Sequence, residues 1–263
     1  FFGMFSSIWT ALRSSNYRIL LTAILLYFGV LGTLGQFDMF VNTYFWDLTT
    51  AQMGTLSLYA IPSPIFAFLV ARPVQQRIEK KHILCGTILL NMMLSLAAVS
   101  FRLGGFFPSN ENPFFIPALG FFVVIQSFLS AMGFIAVLSM TADLAEEQDY
   151  KYGIRQEAVL ASGIAFSTKA IGSIGVVVAG FLLEFFIKFP AGEPGMKISE
   201  DVLFRLAITD AIIVNSLLLL PAFLITRYSL TRETMTEMQG ELRLKRAKME
   251  NLSNPSAGSP DLD

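Results

Sequence analysis

Six runs of apolar residues, separated by short polar intervals, divide this chain and predict its elements. They cover roughly residues 19–42, 52–71, 83–103, 114–140, 158–187 and 202–226. A helix needs about 20 mostly apolar residues to cross a bilayer core, and in lipid only a helix satisfies a single segment's backbone polar groups internally. The pattern therefore predicts an all-α membrane protein with six transmembrane helices. The second run carries Pro62 and Pro64; each removes a backbone donor, which predicts a kink there. The fourth and fifth exceed the hydrocarbon thickness and predict helices that tilt or project into water.

The polar intervals orient the bundle. Of nineteen Lys and Arg, one, Lys169, falls deep inside a run, and four (Arg102, Lys188, Lys197 and Arg205) share one side. The other fourteen share the side that holds both ends of the chain, a positive-inside bias that predicts two cytoplasmic termini in a cell (inner or plasma) membrane. Residues 1–18 then read as a cytoplasmic interfacial segment and 19–226 as the transmembrane bundle. Residues 227–263 read as a cytoplasmic tail. In the first segment Phe5, Ile8, Trp9 and Leu12 recur at helical spacing, which suits an amphipathic helix on the membrane or one packed on its neighbours. In the tail, Thr231 to Asn251 reads as a charged surface helix with a Glu241–Lys245 pair. The closing SNPSAGSPDLD is too small and polar to bury anything and reads as disordered. A chain that begins at Phe1 without an initiator methionine reads as a fragment or a processed product.

Composition agrees and excludes some chemistry. The chain is 54% hydrophobic and 15% charged, where a soluble domain carries about a quarter charged residues. One cysteine, Cys85, and one histidine, His82, supply neither a disulfide nor a zinc cluster nor a histidine-based triad. With no Gly-x-Ser-x-Gly either, an enzyme is not expected and no cofactor is implied. A net charge of −1 gives no reason to expect nucleic acid.

The most informative stretch is TADLAEEQDYKYGIRQEAVLASGIAFSTKAIGSIG, Thr141 to Gly175. Lys169 lies twelve residues beyond Glu157, about 18 Å along the fifth helix. A cation at that depth normally faces a polar cavity or a counter-charge, so Lys169 is a candidate for substrate binding or coupling; burial against backbone carbonyls is the alternative. Asp210, in the sixth run, either faces the bundle as a second candidate or serves in structural hydrogen bonding. Asp38 and Asn42 share a helix face at i,i+4 while Gln36 points elsewhere; a polar cavity mouth and a wetted helix end both suit them. Glu184 falls at the outer interface and needs no special role. The glycines at 163, 172, 175 and 180 on the fifth helix and at 29, 32 and 35 on the first predict close helix packing. Between the fourth and fifth runs, Asp143, Glu146, Glu147, Asp149 and Glu157 stand with Lys151 and Arg155. They read either as a solvated loop or as ion pairs that latch the cytoplasmic side against Arg72, Arg77, Lys80 and Lys81. The candidate gating residues are thus Asp143, Asp149, Arg155, Glu157, Arg72 and Arg77.

The run Ala142-Asp143, Asp149-Tyr150, Gly153, Arg155-Gln156-Glu157 and Lys169 resembles the signature of the melibiose-type symporters. These are the glycoside–pentoside–hexuronide:cation symporters of the major facilitator superfamily. Tyr228 to Leu242 resembles their ending, and the likeness runs from Trp9 to about Lys248. It implies the C-terminal half of a twelve-helix symporter that carries a sugar or glycoside together with sodium or a proton by alternating access. Lys169 would then sit in the central cavity, and the acids that bind the coupling cation would lie in the missing N-terminal half. The implied partners are the sugar, the lipid bilayer and that other half, or a second copy. One departure stands out. Where the superfamily's gating loop reads Gly-x-x-x-Asp-Arg-x-Gly-Arg-Arg, this chain has Arg72 at the first glycine, Gln76 at the aspartate and Glu79 at the second glycine. The same scaffold also suits a carrier of lysolipids or other solutes, or a six-span membrane subunit that does not transport.

Overall fold

A computed structural model describes residues 13–153, 157–166, 169, 171–190 and 198–253; for residues 157–160, 164 and 245–253 it describes the backbone alone. Among these residues every regular element is helical. The expected interfacial segment up to residue 12 and the polar end from residue 254 lie outside the described residues.

Helix α1 (Ser15–Phe40) starts at Ser14, whose hydroxyl accepts the Tyr17 amide, and runs into a π-helical turn, Val41–Phe45. The second run is divided as its prolines predict. Helix α2 (Thr50–Ala60) opens on a Thr49–Gln52 capping box and ends at Ile61, where α3 (Pro62–Arg77) begins with proline in its first turn, the position at which a missing amide costs nothing. Ser63, buried just past the break, donates to the Val124 carbonyl and ties the joint to the next long helix. Helix α4 spans Lys80–Leu103, and α5, Phe115–Tyr152, is the longest at 38 residues. Then come α6 (Glu157–Phe166), α7 (Gly172–Phe181) with a π-helical turn Leu182–Ile187, and α8 (Glu200–Ile208) with a third such turn, Thr209–Val214. Helices α9 (Leu219–Thr226) and α10 (Arg232–Ser253) follow, α10 matching the surface helix expected after the last run.

Among the described residues five stretches are long and apolar enough to cross a membrane: Ser15–Phe45, Thr50–Arg77, Lys80–Leu103, Phe115–Tyr152 and Glu200–Thr226. The fifth apolar run does not reach that length among the described residues, its longest continuous piece being Gly172–Ile187.

Two sequence expectations are corrected. The polar stretch after residue 140 is not a loop; α5 continues through it to Tyr152 and closes on Gly153 at φ 66°, a left-handed cap that glycine adopts without strain. The basic segment from Arg72 to Lys81 is mostly helix as well. Only Ile78 and Glu79 lie between α3 and α4. After residue 140 polarity marks where a helix leaves lipid, not where it stops; between Arg72 and Lys81 the break is confined to two residues.

The apolar side chains gather into two clusters. One, toward the chain ends, includes Leu20, Leu84, Met140, Leu144 and Ile225; the other, toward the opposite face, includes Phe37, Phe115, Ile187, Leu206 and Val214. Helices α1 and α7 cross at backbone contact. A Cβ on Gly32 would stand 2.2 Å from the Gly172 carbonyl oxygen, and one on Gly175 would stand 2.4 Å from that of Gly29. Thr33 seals the crossing by donating to the Gly175 carbonyl at 3.1 Å.

Candidate functional site

Between the two apolar clusters lies a cavity of about 690 Å³, lined from α1, α2, α4, α5, α9's approach and two of the π-helical turns. Its polar lining is Asp38, Asn42, Ser57, Thr87, Asn91, Ser95, Gln126, Ser127, Ser130, Asp210 and Asn215. Apolar residues from both clusters, Ile88 and Leu218 on one side and Trp46, Leu56 and Val99 on the other, complete it. Asp38 lines the cavity and is solvent-exposed, so the cavity is open to small solutes.

The π-helical turns place two of these groups. Such a turn inserts one residue into a helix and frees a backbone carbonyl from the usual ladder. At Thr209–Val214 the carbonyl of Asp210 accepts both from the Asn215 backbone amide and from its Nδ2, at 2.8 Å for the latter. Asn215 Nδ2 also reaches Ser95 Oγ at 3.5 Å. The Asp210 carboxylate is left turned into the protein, 7% exposed, and among the described residues its Oδ1 has no hydrogen-bond partner. The turn at Val41–Phe45 carries Asn42 and leads to Trp46, which lines the cavity. Trp46 is fixed by its ring contacts with Phe45, Phe107 and Phe115, and Arg102 lies 5.5 Å from its ring centroid, a cation–π arrangement.

Lys169 is exposed and does not line this cavity. Its side chain is neither sealed within the bundle nor paired by either cavity aspartate. Asp38, Asn42 and Asp210 all line this one cavity, from α1, the π-helical turn that follows it and the helix carrying Asp210. Gln36 is not among the lining residues, as its place on the helix predicts.

At the end of the bundle that bears the chain termini, the acids expected in a loop instead project from the last turns of α5. Lys80 Nζ meets both oxygens of Asp143, at 2.7 and 2.6 Å. Arg72 and Arg77 are exposed and do not supply that pair. Glu147, only 1% exposed, accepts from Ser14 Oγ, Asn16 Nδ2 and Lys151 Nζ at 3.1, 3.0 and 2.6 Å. Asn16 Oδ1 in turn accepts from the Ser229 amide and hydroxyl. Helix α10 lies across this end: Gln239 donates to Glu146, Tyr150 to Glu241, and Arg232 to the carbonyls of Gln75 and Gln76. Asp149 projects from the same turns of α5. Arg155 and the Glu157 side chain lie outside the described residues. The run of charges includes both Asp143 and Glu147, but of the two only Asp143 is among the gating candidates, and nothing in the sequence points to Asn16. A helical reading of 141–152 would have placed Asp143, Glu147 and Lys151 on one face at i,i+4 steps.

A polytopic helical membrane protein with a polar chamber among its helices has the build of a solute carrier. The sequence model of the family described as MFS/sugar transport protein matches residues 2–232, and the chain belongs to that family of major facilitator transporters. No curated protein matches the chain in a sequence search.

Proposed function

We propose that the chain is the C-terminal half of a cation-coupled sugar or glycoside symporter that works by alternating access, with both ends on the cytoplasmic side of a cell membrane. The polar cavity carries this reading: about 690 Å³ in volume, it falls in the range of about 300–1,000 Å³ usual for small-molecule sites. Its carboxylates and amides suit a solute rich in hydroxyl groups. Family membership supports transport of the major facilitator type. The exposure of Lys169 supports a position facing a second bundle, either a missing N-terminal half or a second copy, against which this one rocks. In that arrangement Lys169 binds sugar hydroxyls or pairs with a carboxylate of the other bundle. Asp38 and Asp210 line the solute's way in, and the Lys80–Asp143 pair closes the cytoplasmic end in one of the two states.

The test is uptake into proteoliposomes by the complete carrier, this chain with its partner half, driven by a sodium or a proton gradient. Gradient-driven glycoside uptake is expected, and Lys169→Ala should lower it at least about a hundredfold, as loss of a group acting at the transport step does. Undiminished uptake in that variant removes Lys169 from the mechanism. Competition by lysolipids in place of glycosides would assign the carrier to a different solute, and no uptake under any gradient would favour a subunit that does not transport.

A further inference from the structure

We propose that the bundle carries a site for the phosphate of an anionic phospholipid, at the end that bears the chain termini, between the start of α4 and the end of α9. Two contacts hold those helices side by side. Lys81 Nζ donates to the Tyr228 carbonyl at 3.2 Å, and one turn deeper Cys85 Sγ donates to the Ala222 carbonyl at 3.4 Å. Arg227 directly precedes Tyr228 and His82 directly follows Lys81, so three basic residues from two helices share one rim. Arg227 is exposed, and its guanidinium lies 5.1 Å from the Phe223 ring centroid. It is thus folded back one turn along α9, toward the apolar part of the crossing.

The positive charge of this rim is not neutralised by the protein. Among the described residues the ion pairs join Lys80 to Asp143, Lys151 to Glu147 and Arg205 to Asp201. Glu79, the acid nearest in sequence, accepts the Arg232 amide. Lys81 gives one of its three N–H groups to the Tyr228 carbonyl, which leaves donors to spare, and the exposed His82 offers a ring N–H in either charge state. Arginine's planar fork matches the oxygens of a phosphate.

Below the rim both helices are apolar and bare, which selects a lipid over a free phosphate. Leu89, Met93 and Leu96 follow His82 at helical spacing and are exposed; Leu220 and Phe223 precede Arg227 in the same way and are exposed too. Residues so spaced lie on one face of their helix. An anionic headgroup held at the rim would lay its acyl chains along these two faces, as basic groups just outside a membrane crossing draw acidic lipids. The inference goes beyond the transport reading and holds whichever solute is carried.

The experiment is native mass spectrometry of the purified protein with phosphatidylglycerol, phosphatidylcholine or glycerol 3-phosphate. Beside it, phosphatidylglycerol with a photoreactive acyl chain is crosslinked to the unaltered protein. Saturable binding of phosphatidylglycerol is expected, tighter than that of phosphatidylcholine and not displaced by glycerol 3-phosphate. Crosslinks should fall within residues 82–96 and 216–227. Arg227→Gln combined with His82→Gln should weaken binding by more than about tenfold, at roughly fivefold per basic contact. Arg77→Gln, an equal change of charge at an exposed site of the same end, should change it by less than about twofold. Equal affinity for phosphatidylcholine overturns the proposal, as does an equal loss in Arg77→Gln, which would make net charge the cause. Displacement by glycerol 3-phosphate overturns it in favour of a free anion. Crosslinks confined to other helices overturn it without recourse to any variant. A carrier that binds the lipid as described and moves no glycoside would sink the transport reading and leave this one standing.

Discussion

Tyr228 shows how much one residue contributes at the junction between bundle and tail. It is 2% exposed, its hydroxyl donates to the Met140 carbonyl at 3.2 Å, and its own carbonyl accepts from Lys81 Nζ. Burial, with Asp143 and Glu147 adding repulsion, pushes the phenol above its ordinary value of 10.0. The folded state therefore retains the proton more firmly than the unfolded chain does. Its contribution is complete below the unfolded value and is lost as pH rises above it. Tyr228→Phe keeps the ring's packing and removes the hydrogen bond, at an expected cost of about 1 kcal/mol. Melting curves should show that loss at pH 7, together with a shallower decline above pH 10 than the unaltered protein shows. An equal decline in both would remove Tyr228 from the alkaline transition.

At the scale of elements, the crossing of α1 on α7 depends on the absence of side chains. Gly32→Ala would drive a methyl group to 2.2 Å from a backbone oxygen of α7, and neither backbone can yield without parting the helices. The expected cost is about 3 kcal/mol or more, read as a lower melting temperature in detergent, whereas Gly35→Ala, which meets nothing within 4 Å, should leave it nearly unchanged. Glycine spacing made this crossing legible in the sequence. So were five of the crossings, the break at Pro62, and the shared face of Asp38 and Asn42, because each follows from local periodicity or a local backbone rule. What escaped depends on tertiary context. Charge density between residues 141 and 152 suggested a loop, but Glu147 and Asp143 are carried on a helix because Ser14, Asn16 and Lys80 from other elements meet them there. Asp210 could be placed in its helix but not aimed, since a π-helical turn changes the facing of residues without a sequence signal of its own. Lys169 drew attention by its depth, yet depth alone does not say which surface it faces.

For the whole molecule, the asymmetry of basic residues predicts a direction of insertion. Ser109, in the turn between α4 and α5, and Glu237, on α10, are both exposed and belong to opposite ends of the bundle. In a Cys85→Ser background, Ser109→Cys should react with a membrane-impermeant thiol reagent on intact cells and Glu237→Cys only after permeabilisation. The reverse pattern would invert the topology. The same end-to-end view gives α5 a mechanical meaning. At 1.5 Å per residue its 38 residues make a rod about 57 Å long, against a hydrocarbon core of about 30 Å. A rod pivoting at the middle of the membrane by about 10° swings its tip by about 5 Å. That tip is fastened to α4 through Lys80, to the start of α1 through Ser14 and Asn16, and to α10 through Gln239 and Glu241. A small lean of this lever would therefore pull on all of those fastenings together.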